Sequence, residues 1–88
     1  YVSDDRIMSV VDQYDPEPFY RQLAAILRDQ IKAGDFAPGD TLPSETRLQQ
    51  EHGVSRGTVR AAIKILKDEG LVMTMSGRGT VVPPKRKR

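Results

Sequence analysis

Arg56 and Arg60 lie four residues apart, and Lys64 and Lys67 continue the spacing. On an α-helix that interval stacks side chains on one face over successive turns. Each guanidinium in such a row can fork onto guanine O6 and N7, or onto a phosphate. Ser55, just ahead of them, has the chemistry of a helix cap. The amides and partial positive charge of the helix N-terminus would then also point toward phosphate. Thr58 can bond a phosphate, or lay its methyl group against that of thymine. Gly57 has no side chain to hold a groove edge away. These residue types at this spacing point to nucleic-acid binding, and a merely solvated basic face is the plainer alternative.

Little else in the 88 residues can do chemistry. There is no cysteine, which excludes disulfides, thiolate metal sites and a cysteine nucleophile. The single histidine, His52, excludes a histidine-cluster metal site and argues against a triad. With no second histidine or acid pair nearby, His52 reads as a turn residue, and Ser55 as a cap rather than a nucleophile. No paired carboxylates or phosphate loop appear, so the expectation is no enzyme, no catalytic residue, no metal and no cofactor. No apolar run approaches the roughly 18 residues of a membrane span. Nor does a charged start lead into an apolar stretch, as in a signal peptide. A cytoplasmic protein without membrane contact is expected. The chain begins at Tyr1 rather than Met, which fits a fragment of something longer.

Charge is unevenly spread. Residues 1–45 carry four Lys or Arg against nine Asp or Glu, whereas residues 46–88 carry ten against three. A basic half of this kind favours a polyanionic partner, because neutralising phosphates releases counterions. Four of those ten positive charges, Lys85 to Arg88, sit in a terminal run that reads as a linker or a weak phosphate contact.

The basic row must be held by a helix, and the flanking sequence supplies the frame. Residues 1–15 read as a flexible acidic leader with a short apolar patch, Ile7, Met8, Val10 and Val11, able to dock locally or form a short edge strand. After Pro16 and Pro18, the apolar residues Tyr20, Leu23, Ala24, Leu27 and Ile31 recur at helical spacing from Phe19 to Ala33, and Gly34 supplies the stop. Pro38-Gly39 is turn chemistry, and Thr41-Leu42 suits a very short strand before Pro43. Ser44 caps a second helix that ends near Glu51 or His52, with Leu48 as its main core contact. The turn His52-Gly53-Val54-Ser55 leads to the third helix, whose apolar stripe is Val59, Ala62, Ile63 and Leu66, with Gly70 as its stop. Val54 and Val59 occupy hydrophobic-staple positions. Leu71 to Met75 has strand character, Ser76-Gly77-Arg78-Gly79 is a tight turn, and Thr80 to Val82 can return as the paired strand. The fold class is therefore mainly α with a small β-hairpin, a winged helix-turn-helix of three helices plus a wing. In that geometry the third helix enters the DNA major groove. The expected organisation is leader 1–15, DNA-binding domain 16–82 and basic tail 83–88.

The stretches Leu42-Pro43-Ser44-Glu45, Gly53-Val54-Ser55-Arg56, Thr58-Val59-Arg60, Glu69-Gly70-Leu71 and Gly77-Arg78-Gly79-Thr80, with Ala62, Leu66 and Val82, occur in fixed order. Together with Tyr20-Arg21-Gln22-Leu23, Ile31, Gly34 and Pro38-Gly39, they resemble the DNA-binding domain of the GntR family of bacterial transcription regulators over about residues 18–82. The resemblance implies sequence-specific binding of double-stranded, palindromic operator DNA, and a homodimer in the full-length protein or on DNA. It also implies a repressor released by a small metabolite, which would bind only through a C-terminal domain beyond residues 83–88. When bound, such a protein would associate with the bacterial nucleoid. Carried over residue by residue, the DNA contacts fall on Ser55, Arg56, Gly57, Thr58 and Arg60 in the recognition helix. They fall on Ser76, Gly77 and Arg78 at a wing tip set in the minor groove, and on Ser44, Thr46 and Arg47 around the start of the second helix. Ser44 and Glu45 would also cap and orient that helix. Many members carry arginine after the Ser-Glu pair and an acid next; here Thr46 and Arg47 stand there, and Thr46 falls to phosphate. Two other classes compete with this reading: a winged helix used only for protein contact, which an acidic recognition helix would have favoured, and a small enzyme.

Overall fold

The computed structural model describes residues 17–84. The expectations for the leader and for the Lys85–Arg88 run lie outside the described residues. The elements follow in the order α1 (Phe19–Ala33), α2 (Glu45–His52), α3 (Arg56–Asp68), β1 (Met73–Met75) and β2 (Gly79–Val81). This is the winged helix-turn-helix expected from the sequence.

Local chemistry sets the helix ends. α1 starts after Pro18, whose carbonyl accepts from the Arg21 and Gln22 amides at 3.0 and 3.1 Å. It ends where Asp35 N–H reaches back to the Gln30 carbonyl at 2.9 Å, across Gly34. Ser44 Oγ accepts the Arg47 amide at 3.1 Å and Ser55 Oγ the Thr58 amide at 3.2 Å, each satisfying a donor that the helix leaves unpaired. Between the two helices Gly53 takes φ +64°, a left-handed conformation that a β-carbon would strain. That single reversal turns the chain from α2 into α3.

The core gathers one stripe from each helix. Leu23, Ala24 and Leu27 of α1 meet Leu48 of α2 and Val59, Ala62, Ile63 and Leu66 of α3, with Leu42, Val72 and Val82 closing the edge toward the wing. Val54 packs partly buried against this cluster and Val59 is fully buried, as the staple positions require. Arg28 of α1 grips Glu69 with two hydrogen bonds of 2.9 and 2.8 Å, tying the first helix to the end of the third. The guanidinium of Arg28 holds the Glu69 carboxyl below its ordinary range. The pair also offsets the poor placement of an acid at a helix C-terminus.

The wing is an antiparallel pair in the register Met73↔Val81, Thr74↔Thr80 and Met75↔Gly79. Thr41 bridges to Val81 on the other side, and Leu42 N–H donates to the Thr80 carbonyl at 2.8 Å, so the loop after α1 forms a third, minimal strand. Both wing strands differ slightly from the sequence expectation. The first begins at Met73 rather than Leu71, because Leu71 N–H closes α3 by bonding the Leu66 carbonyl at 2.9 Å and Val72 turns into the core. The second ends at Val81, and Val82 N–H instead bonds the Asp40 carbonyl at 2.9 Å.

Candidate nucleic-acid interface

α3 presents two faces of opposite character. Its apolar side is buried, while Arg56, Arg60, Lys64 and Lys67 stand exposed on the other. The side chains of Arg56 and Arg60 are 62% and 64% exposed, so neither is used by the interior. Beside this face an open groove of about 770 Å³ runs between α3 and the wing, lined among others by Arg60, Lys64, Lys67, Thr74, Arg78 and Thr80. Four cations and four hydroxyls line the groove against a single acid, Glu45, a net positive surface suited to a polyanion.

At the start of α3, Ser55 Oγ both accepts the Thr58 amide and donates to Thr58 Oγ1 at 3.1 Å, which fixes the first turn. Gly57 lies in that turn in ordinary helical conformation. A β-carbon there would meet only Ser55 Oγ, at 3.8 Å. Neither backbone geometry nor internal packing therefore demands glycine at this position.

In the fold an acid stands beside these arginines. Glu45, the first residue of α2, accepts a hydrogen bond from Arg60 Nε at 3.1 Å and stands 4.0 Å from Arg56 Nε. The helix-turn-helix geometry brings the start of α2 beside the opening turns of α3, a contact spanning fifteen residues that helical spacing within α3 does not reveal. Read from the sequence, Glu45 caps and orients its own helix, and nothing there places it against α3.

The remaining candidate residues divide by location. Ser44 is engaged as the α2 cap, and Thr46 is exposed beside it. Arg47 pairs with Glu51 one turn on, at 3.0 Å, and remains 70% exposed. Ser76, Gly77 and Arg78 form the exposed wing tip, where Gly77 takes φ +82° and Arg78 N–H closes the turn on the Met75 carbonyl at 3.0 Å. Arg78 does not extend outward: its Nη2 donates to the Gly39 carbonyl at 3.1 Å. Lys64, Lys67, Thr74 and Thr80 were absent from the expected contact set. For the two lysines the signal was the continued helical spacing from Arg60. For the threonines it required the hairpin register.

His52 departs from its reading as a turn residue. It is the last residue of α2 and buried, and its Nδ1 has no hydrogen-bond partner. Burial pushes its pKa below the ordinary histidine value, against a weaker opposing pull from Glu51. Among the described residues, no group of three His, Cys, Asp or Glu side chains is placed to hold a metal ion, and no helix is long and apolar enough to cross a membrane.

Comparison with known proteins locates this architecture. Residues 19–82 match the family model described as bacterial regulatory proteins, gntR family. The mannosyl-D-glycerate transport/metabolism system repressor MngR of Escherichia coli (strain K12) is 46% identical over 70 residues, covering 80% of this chain and 29% of MngR. The present chain thus spans less than a third of that relative's length. Among solved structures, YtrA from Sulfolobus acidocaldarius, a GntR-family transcription factor, superposes with a TM-score of 0.79 at 33% identity, covering 90% of this chain and 83% of that one. The AraR DNA-binding domain in complex with operator ORX1 superposes with a TM-score of 0.73 at 35% identity, covering 81% of this chain and 84% of that one. By the match over residues 19–82, the chain belongs to the GntR family of bacterial regulatory proteins.

Proposed function

We propose that this chain binds double-stranded operator DNA sequence-specifically, as the DNA-reading unit of a cytoplasmic transcriptional repressor. The observation that carries the reading is the exposed basic face of α3, opening on the groove beside the wing. In this reading α3 lies in the major groove with Arg56 and Arg60 toward the base edges. Ser55, Gly57 and Thr58 bring the helix N-terminus against the backbone. Ser44, Thr46 and Arg47 contact phosphates from the start of α2. Ser76, Gly77 and Arg78 enter the minor groove once Arg78 leaves the Gly39 carbonyl. Family membership and the likeness to an operator-bound domain support this reading.

The full-length protein is proposed to act as a homodimer on a palindromic operator, its half-sites about one helical turn apart, roughly 34–36 Å. A small-molecule effector would act through a further domain. Fluorescence anisotropy tests the DNA reading directly. Duplexes selected from a random pool should bind more tightly than unselected ones, and affinity should fall steeply with salt. Absence of binding, or binding indifferent to salt, would leave a protein-contact role in its place.

A further inference from the structure

A guanidinium carries five N–H donors, one on Nε and four on the terminal nitrogens. Glu45 faces the Nε of two guanidiniums at once, at 3.1 Å from Arg60 and 4.0 Å from Arg56. Among the described residues, no hydrogen bond engages the terminal nitrogens of either arginine. One carboxylate thus holds the inner edge of Arg60, stands within ion-pair distance of the inner edge of Arg56, and leaves both end-on forks open. Glu45 is itself only partly covered, its side chain 43% exposed. Its negative charge therefore belongs to the surface that would meet a ligand.

We propose that Glu45 is a specificity-determining residue, which positions Arg56 and Arg60 end-on toward base edges and opposes their use on phosphate. The inference rests on the DNA-binding reading above. Guanine O6 and N7 are neutral acceptors, so a nearby carboxylate costs them little. A phosphate oxygen brought to the same arginine carries a formal charge and is repelled by Glu45. The carboxylate thus weakens sequence-independent contacts more than base-specific ones, which is selection by repulsion. Capping does not account for the residue, because the side-chain cap of α2 is Ser44 Oγ. A purely helical role, an acid near the positive end of the dipole, would affect stability alone.

The test compares wild type with E45Q, which keeps the size and one acceptor oxygen, replaces the other oxygen by an NH2 donor, and loses the charge. Anisotropy would be measured on a selected duplex and on a random duplex of equal length, over a salt series, with circular-dichroism melting as the check on folding. For E45Q, binding to the random duplex should tighten, with a log–log salt slope steeper by up to about 0.9. The selected-to-random affinity ratio should fall by about tenfold, within what one bidentate base contact contributes. An unchanged ratio and slope would overturn the proposal. So would parallel weakening on both duplexes together with a lower melting temperature, which is the helical role alone. E45D, which keeps the charge on a shorter stem, gives an independent reading: random binding should stay weak while the ratio falls, and tighter random binding would contradict the charge argument. Wild type that fails to bind duplex in a salt-dependent way defeats the DNA reading itself, whereas a discriminating wild type beside an equally discriminating E45Q defeats only this inference.

Discussion

Gly57→Ala should move stability and DNA affinity in opposite directions. Glycine within a helix costs about 0.5–1 kcal/mol relative to alanine, because the unfolded chain loses more freedom on ordering. Gly57 lies in the first turn of α3 with no positive φ, and a β-carbon there meets only Ser55 Oγ at 3.8 Å, an ordinary van der Waals distance. Alanine therefore introduces neither strain nor a clash, and the propensity gain should survive nearly intact. For a domain of this size about 1 kcal/mol corresponds to roughly 4–8 °C in melting temperature, so a rise of about 2–8 °C is expected. In the proposed complex the same methyl group meets the edge of a DNA groove rather than solvent. Operator affinity should fall by about the worth of one base contact, roughly 1–3 kcal/mol. Thermal melting and anisotropy on one preparation give both numbers. A lower melting temperature would refute the packing argument, and unchanged affinity would refute the close approach of α3 to DNA.

Leu48→Ala removes the only fully buried apolar side chain of α2 and should cost about 2–5 kcal/mol in urea denaturation. Arg78→Ala should lower the salt slope of operator binding by about one unit, and it should barely change the melting temperature, because the bond it loses to Gly39 is exposed. His52 is held neutral by burial, so the unfolded chain takes up a proton more readily than the folded one. Its stabilising contribution should be complete above the unfolded value near 6.5 and should decline as pH falls below it; urea midpoints between pH 7.5 and 5 should show this decline, and His52→Leu should remove it.

The features legible in the sequence were those governed by neighbours in the chain. Ser44 and Ser55 cap their helices, and Gly34 and Gly53 end theirs, because each acts on amides or carbonyls only a few residues away. The wing was legible as a hairpin but with displaced strand bounds, since Leu71 and Val72 are drawn into the end of α3 and into the core by contacts that strand propensity does not capture. Contacts distant along the chain were hidden. Glu45 reaches Arg60 across fifteen residues and Arg28 reaches Glu69 across forty-one. The burial of His52 is hidden from the sequence because a polar side chain at a helix end ordinarily faces water, whereas in the fold it lies inward at the end of α2.

The central claim is that α3 reads bases through Arg60. Selection of bound duplexes from a random pool, run in parallel with wild type and Arg60→Ala, tests it most directly. The account predicts that the variant recovers the same consensus with preference relaxed at one position of each half-site, at a cost of about 1–3 kcal/mol. An identical consensus with uniformly weaker binding would place Arg60 on phosphate and contradict the claim.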